Sequence, residues 1–407
     1  MLIIWSPKHD ILRSKKIDYG GDSMRNKTAE VVKQNNFPDQ MPRLGILSYP
    51  IGKKTSPPLS NFRELALAGK KRRITVIVFK PQDVNWSLHR VEGWILKGSD
   101  GAAPKWQHVQ LPLFDVVYNR IPNRKTENQN EVQWFFQEMN YRGIPFFNPS
   151  FLDKWTIFRW IQSNQEINKH LPHSVLFTKS EFMKMLEKNT SVFIKPRLGS
   201  LGRGIMRIDM NEQDIIVNIL TPRGYETSRF KDYHTVCDWL ETKRGSKNYI
   251  IQEAIKLARY KNRVFDIRTL VQKDIQGNWT VTGMGARWAA ANAHLTHVPN
   301  GGQVLPLSTV LAELPNKPGI RMEVLNRHLH DLSINTALTI DKAGGGRFGE
   351  MSMDIGLDTQ LNLWLIEANS KPFSFDEPAI RQISRNRILD YAIFLFKQRE
   401  KGSEIDG

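Results

Sequence analysis

Two neighbouring segments decide the reading of this chain: Met351-Ser352-Met353-Asp354-Ile355-Gly356-Leu357-Asp358 and Asn362-Leu363-Trp364-Leu365-Ile366-Glu367-Ala368-Asn369. The first alternates strictly. Met351, Met353, Ile355 and Leu357 share one face of a strand, and Ser352, Asp354, Gly356 and Asp358 share the other. On the second, Glu367 and Asn369 share a face. A turn centred between Gln360 and Leu361 sets Asp354 opposite Glu367, with Cβ atoms about 5 Å apart. Two carboxylates that close repel unless a cation or a proton lies between them. Asp354, Glu367 and Asn369 together supply hard oxygen donors of the kind magnesium takes alongside nucleotide phosphates. The plainer alternative is a solvated hairpin face.

Upstream lies Phe193-Ile194-Lys195-Pro196-Arg197-Leu198-Gly199-Ser200-Leu201-Gly202-Arg203-Gly204. An apolar strand presents Lys195, and three glycines follow in a turn. Glycines let backbone N–H groups approach phosphate oxygens closely. Ser200 and Arg203 add donors, and Lys195 adds a point charge. The segment is neither a P-loop nor a G-x-G-x-x-G turn, and an ordinary hairpin turn would look similar.

Between these stretches, Phe265-Asp266-Ile267-Arg268-Thr269-Leu270 puts Asp266 and Arg268 on one strand face, and Met284-Gly285-Ala286-Arg287-Trp288 offers a second arginine across a hairpin. Two arginines aimed at one site suit an acyl phosphate or a transferring phosphoryl group; singly, each suits a surface salt bridge. His294 and His297 have helical spacing, but Pro299-Asn300-Gly301-Gly302 argues for a loop and against zinc.

Further out, residues 43–51 read as a strand, 61–71 as a helix and 74–79 (ITVIVF) as a buried strand. Further strands are expected at 86–96 and 113–118, a helix at 127–142 and a short strand at 144–147. This alternation predicts a small α/β domain with a mainly parallel sheet. Helices are expected at 151–161, 324–338 and 383–397, and a hairpin of 265–273 with 279–286. Residues 1–41 are polar, carry basic clusters and show no periodicity, so a flexible extension is expected there.

The chain has 407 residues, 40% hydrophobic and 24% charged, a globular profile with room for several structural units. Its formal net charge of +17 favours polyanionic partners, but the basic residues are scattered, which does not point to nucleic acid. The single cysteine, Cys237, excludes an intrachain disulfide framework. His234 and Asp238 lie near it, yet a lone cysteine more often packs as a small hydrophobe. No apolar run approaches the roughly 20 residues of a membrane helix, so a soluble, non-secreted protein is expected.

Taken in order, these pieces resemble the ATP-grasp superfamily, and within it the YheC/YheD-type endospore coat-associated proteins. The resemblance also rests on Pro42-Arg43-Leu44-Gly45-Ile46-Leu47, Asp115-Val116-Val117-Tyr118-Asn119-Arg120 and Phe147-Asn148-Pro149-Ser150-Phe151-Leu152-Asp153-Lys154. It runs from about residue 42 to the C-terminus. It implies an α/β and α+β architecture: a preATP-grasp α/β domain at 42–150, a lid subdomain with the glycine loop at 151–250, and an antiparallel-sheet subdomain at 251–407. ATP and Mg2+ are the implied cofactors. Lys154 and Lys195 would bind phosphates, with Ser200, Leu201, Gly202, Arg203 and Gly204 folding over them. Gln252, Glu253 and Ile255 would border the adenine, although the resemblance leads one to expect a less acidic, glycine-containing hinge. Asp354, Glu367 and Asn369 would hold magnesium, and Arg268 and Arg287 would face the γ-phosphate and acyl phosphate. The implied activity joins a small-molecule or peptide carboxylate to an amine through an acyl phosphate. The implied setting is cytoplasmic and associated with the endospore coat, where acidic coat components would be partners. An ATP-binding coat protein with little or no catalysis, a kinase on the same scaffold and, on net charge alone, a nucleic-acid binder are the rival readings.

Overall fold

The apolar run at 74–79 forms the strand Thr75–Phe79 and sits in the middle of the first of three sheets. The computed structural model describes residues 41–407 apart from 52, 99–102, 200–201, 222–223, 291–295, 297–300, 315–321 and 406–407. The expected N-terminal extension therefore lies outside the described residues, Met41 excepted, as do Ser200, Leu201, His294 and His297.

In the first sheet Arg43–Leu47 pairs in parallel with Thr75–Phe79 and with Val116–Asn119, which pairs in parallel with Phe146–Phe147. Both faces are covered, as a continuous apolar strand requires. Leu44, Ile46, Val76 and Val78 meet the helix Arg63–Lys71, while Leu47, Ile77 and Phe79 meet Val132, Phe135 and Met139 of the helix Asn130–Tyr141. The sheet is mixed rather than mainly parallel. Thr75–Phe79 also pairs antiparallel with Arg90–Lys97, and that strand with Lys105–Pro112. The sequence hid Lys105–Pro112 because it is a largely exposed edge strand, Lys-Trp-Gln-His-Val-Gln-Leu-Pro, with little apolar signal.

The second sheet is antiparallel and spans Ser174–Leu176 to Tyr249–Glu253, with Ser191–Pro196 third in from one edge. Its core face is covered by the helices Lys179–Asn189 and Tyr233–Arg244, whose Phe182, Leu186, Val236 and Leu240 are buried. Sequence reasoning passed over both helices, yet their starts are marked. Thr178 accepts from the Glu181 N–H at 3.0 Å, and Asp232 from the Thr235 N–H at 2.8 Å. Cys237 is buried in this core, its thiol pushed up by burial, and belongs to the packing.

The third sheet holds Arg263–Lys273, Trp279–Trp288, Gln303–Leu305, Glu350–Leu357 and Leu363–Asn369. One face packs on the long helix Met322–Ala343: Phe265, Ile267, Met353 and Ile355 join Leu325, Leu329 and Leu332 in one cluster. Strand alternation then turns Arg268 and Asp354 to the opposite face. The last helix, Pro378–Ile405, leaves this sheet and packs Leu389, Tyr391 and Ala392 against Leu44, Val76 and Phe147 of the first. A side chain of the size of Leu389, fully removed from water, contributes about 2 kcal/mol.

Candidate functional site

The two deciding segments pair as a hairpin, Glu350–Leu357 with Leu363–Asn369, and Asp354 lies opposite Glu367. The route to that pairing differs from the expected one. Near the turn, Leu357 pairs with Leu363 and Ile355 with Leu365, which centres the turn on Gln360. Without a break, Asp354 would face Ile366. A bulge between Asp354 and Ile355 shifts the register by one residue and brings Glu367 to Asp354 instead. The turn itself is organised by Asp358, which accepts from the N–H groups of Gln360 and Asn362, both at 2.8 Å, and from Asn362 Nδ2 and Trp364 Nε1. Every residue of Glu350–Leu357 is buried, so its polar face lines an interior space and is not a solvated hairpin surface.

The carboxylates' like charge is already answered by cations. Arg287 Nη2 lies 2.8 Å from Asp354 and 2.7 Å from Asp266, and Thr296 Oγ1 also donates to Asp266. Burial works against the Arg287 charge, but Asp266 and Asp354 outweigh it and hold its pKa above the ordinary value. Lys154 Nζ lies 2.7 Å from Glu367 and 3.1 Å from the Gly199 carbonyl. Burial pushes the Glu367 carboxyl up; the Lys154 charge beside it prevails and keeps it below the usual range. Lys154 opens the helix Lys154–Gln162, whose start is fixed by Asp153 accepting from the Trp155 and Thr156 N–H groups.

Lys195 is buried and donates to Gln252 on the adjacent strand, and Gln252 donates on to Ser174. Burial pulls the Lys195 pKa down to about 8. Lys195 and Gln252 line a small cleft with Ile250, Leu365 and Glu367. At about 40 Å³ it is too small for a heterocycle unless its walls part. Glu253 and Ile255 line neither this cleft nor the main cavity. Gly202 and Gly204 have φ of 72° and 74°, the left-handed region in which a glycine is at ease.

The main cavity, about 740 Å³, brings together Lys154, Gly202, Arg203, Arg268, Arg287, Asp354, Glu367 and Asn369. Residues that sequence reasoning did not single out share its wall, among them Arg124, Lys371 and Glu377. Lys371 is buried against Glu127, whose carboxylate also accepts from Asn119 Nδ2 and the Phe151 N–H; burial lowers its pKa to about 8. Its place in Asn369-Ser370-Lys371-Pro372, directly after the acidic hairpin, was the available signal.

Does this donor set fit magnesium? Among the described residues no group of three or more His, Cys, Asp or Glu side chains is placed to hold a metal. A site here must therefore use the Asn369 amide and ligand oxygens besides two carboxylates, a pattern that suits magnesium on a nucleotide. One buried atom supports the fit directly: Asp354 Oδ1 has no hydrogen-bond partner. A buried, unpaired carboxylate oxygen is costly, and a cation would satisfy it.

Three antiparallel and mixed sheets, with cationic and acidic side chains converging between the second and third, define an ATP-grasp protein. The model of the YheC/D like ATP-grasp family matches residues 143–395, more than half of the chain, and the chain belongs to that family. Two relatives from Bacillus subtilis (strain 168) are similar to it. The endospore coat-associated protein YheD is 28% identical over 78% of this chain and 70% of its own length; YheC is 23% identical over 76% and 84%. Among solved structures, the VanG D-Ala:D-Ser ligase from Enterococcus faecalis aligns with a TM-score of 0.50 at 13% identity, covering 87% of this chain and 99% of that one, a likeness of fold. Among the described residues no helix is long and apolar enough to cross a membrane.

Proposed function

We propose that this chain is an ATP- and magnesium-dependent carboxylate–amine ligase acting through an acyl phosphate. The observation that carries the reading is the unpartnered Asp354 Oδ1 on the wall of a cavity shared with Glu367, Asn369, Lys154 and Arg203. In this reading Lys154, Lys195, Arg203 and the backbone of the glycine segment receive the phosphates, and Gln252, Glu253 and Ile255 border the adenine once the small cleft widens. Asp354, Glu367 and Asn369 hold magnesium, which when bound neutralises phosphate charge. Binding must first loosen the Lys154–Glu367 and Arg287–Asp354 pairs, so each cation is handed from a carboxylate to an incoming phosphate. The substrate carboxylate attacks the γ-phosphorus and ADP leaves; the amine nitrogen then attacks the acyl carbon and phosphate leaves. Arg268 and Arg287 offset charge developing on the transferred group, and the protein's part is positioning rather than covalent catalysis. A lid at 151–250 closing over the nucleotide belongs to the same proposal, as do small-molecule or peptide substrates. Association with the spore coat, suggested by the relatives' names, would use the +17 surface against acidic components.

The test is magnesium-dependent ADP release, screened across acids and amines with mass analysis of products, for wild type and Glu367→Gln. A large loss in a folded variant is expected. Equal, magnesium-dependent turnover in both would overturn the metal assignment.

A further inference from the structure

Two charged atoms on the cavity wall lack partners and have opposite sign. Arg268 Nε and Glu377 Oε1 are both buried without a hydrogen bond, and no ion pair joins the two residues. They come from neighbouring elements. Arg268 lies opposite Asp354 on one side of its strand and opposite Gly285 on the other. A Cβ at Gly285 would sit 1.9 Å from Glu377 Oε1, so the glycine leaves open the space that this carboxylate occupies. The Arg268 guanidinium stands 5.1 Å from the Phe375 ring centre, and Arg381 Nη1 fixes the intervening loop by donating to the carbonyls of Phe375 at 3.1 Å and Asp376 at 2.6 Å.

Helix capping does not explain Glu377. It precedes Pro378, the first residue of the last helix, and a carboxylate there ordinarily accepts from the N–H groups of the first turn. The Glu377 side chain makes no such bond; its oxygen turns toward Gly285. Leaving a buried carboxylate oxygen and a buried guanidinium nitrogen each without a hydrogen bond is unfavourable, although both side chains are only half-buried, and a molecule carrying both complementary charges relieves both.

We propose that Arg268 and Glu377 form the acceptor subsite and that the acceptor is a zwitterionic amine of the amino-acid type, its carboxylate on Arg268 and its ammonium on Glu377. This rests on the ligase reading above, names the class of its amine, and gives Arg268 to the acceptor carboxylate, leaving Arg287 to offset charge on the transferred group. Glu377 takes one proton from the ammonium. The freed nitrogen attacks the acyl carbon, the C–N bond forms, the bond from that carbon to the phosphate oxygen breaks, and the second N–H proton leaves with the phosphate. A site built on paired polar groups rejects analogues that lack one of them.

The experiment measures the thermal midpoint of the full chain with saturating magnesium-ADP, then with each of the twenty standard amino acids or D-alanine added, and with ethylamine and propionate as single-charge controls. Calorimetry on any amino acid that shifts the midpoint gives its affinity. At least one amino acid should bind, and neither control. Glu377→Gln should weaken that binding about tenfold or more while keeping the magnesium-ADP shift. Gly285→Ala, which displaces the Glu377 carboxylate, should reproduce the loss, with near-ultraviolet circular dichroism reporting the fold of each variant. No binding by any amino acid, equal binding by ethylamine or propionate, or unchanged affinity in Glu377→Gln overturns the subsite. No magnesium-ADP shift in wild type overturns instead the nucleotide reading on which it stands.

Discussion

Two buried polar clusters flank the same hairpin and differ in one respect. Around Asn148 everything is satisfied. Its side chain donates to the carbonyls of Ser370 at 2.6 Å and Glu350 at 3.2 Å, and accepts from the N–H groups of Gly349 and Glu350. The Glu350 carboxylate in turn is held by Tyr118, Arg120 and Gln272. Around Asp354, by contrast, Asp354 Oδ1, Arg268 Nε and Glu377 Oε1 are all left without partners. Buried polar groups are nearly always paired in native proteins. The closed cluster is complete within the chain, and the open one is what the proposed ligands would complete.

The contrast fails if the open cluster can be altered without functional loss. The largest effect should come from Glu367→Gln. Turnover is expected to fall by about three orders of magnitude, roughly 4 kcal/mol of transition-state stabilisation. The fold should persist at some cost in stability, because Lys154 loses the charge of its partner Glu367. Circular dichroism and ADP release on the same sample check both halves.

Asn148→Ala sharpens the other side. It removes four buried hydrogen bonds at a residue whose φ is 57°, and a loss of about 3 kcal/mol in urea unfolding is expected. Asn148→Gly keeps the backbone conformation and still loses the bonds, so it should recover only a small part. A variant as stable as wild type would show that the closed cluster is not structural.

A smaller effect belongs to Asp358, in the turn. Burial raises its pKa, but hydrogen bonds from Trp364, Asn362 and Gln360 outweigh this and hold it below the usual value. A depressed carboxylate stabilises the fold above its unfolded pKa of about 4 and loses that contribution as pH falls through the lower folded value. Asp358→Ala should therefore be about 2 kcal/mol less stable at neutral pH, and its gap from wild type should narrow below about pH 4. A gap that widens in acid contradicts the assignment.

The smallest effect separates packing from chemistry. Cys237 is 3% exposed and its thiol pKa is raised by burial, so iodoacetamide at pH 8 should leave it unmodified in the native protein and alkylate it in denaturant, as mass spectrometry reads directly. Rapid native labelling would reopen the nucleophile reading.

Much of this architecture is written in short-range pattern. The two-residue alternation of Met351 to Leu357 depends only on which side of a strand each side chain leaves, so the polar face carrying Asp354 follows from the sequence alone. So does the buried strand at 74–79, and the glycine turn after Lys195 announces its backbone freedom locally. The edge strand Lys105–Pro112 and the helices Lys179–Asn189 and Tyr233–Arg244 were harder to see, because weak apolar contrast lets tertiary packing decide.

What the sequence by itself determined was the set of chemical groups and the faces they leave by: a cation-bearing strand before a glycine turn, and two carboxylates and an amide on one hairpin. Only the tertiary structure decided which of those groups are free. The one-residue bulge that brings Glu367 to Asp354, the capture of Arg287 between Asp266 and Asp354, and the approach of Glu377 to Gly285 from nearly a hundred residues further along the chain all depend on where distant segments come to rest. Whether a buried charge is paired is a property of its three-dimensional neighbours, and local periodicity carries no record of them.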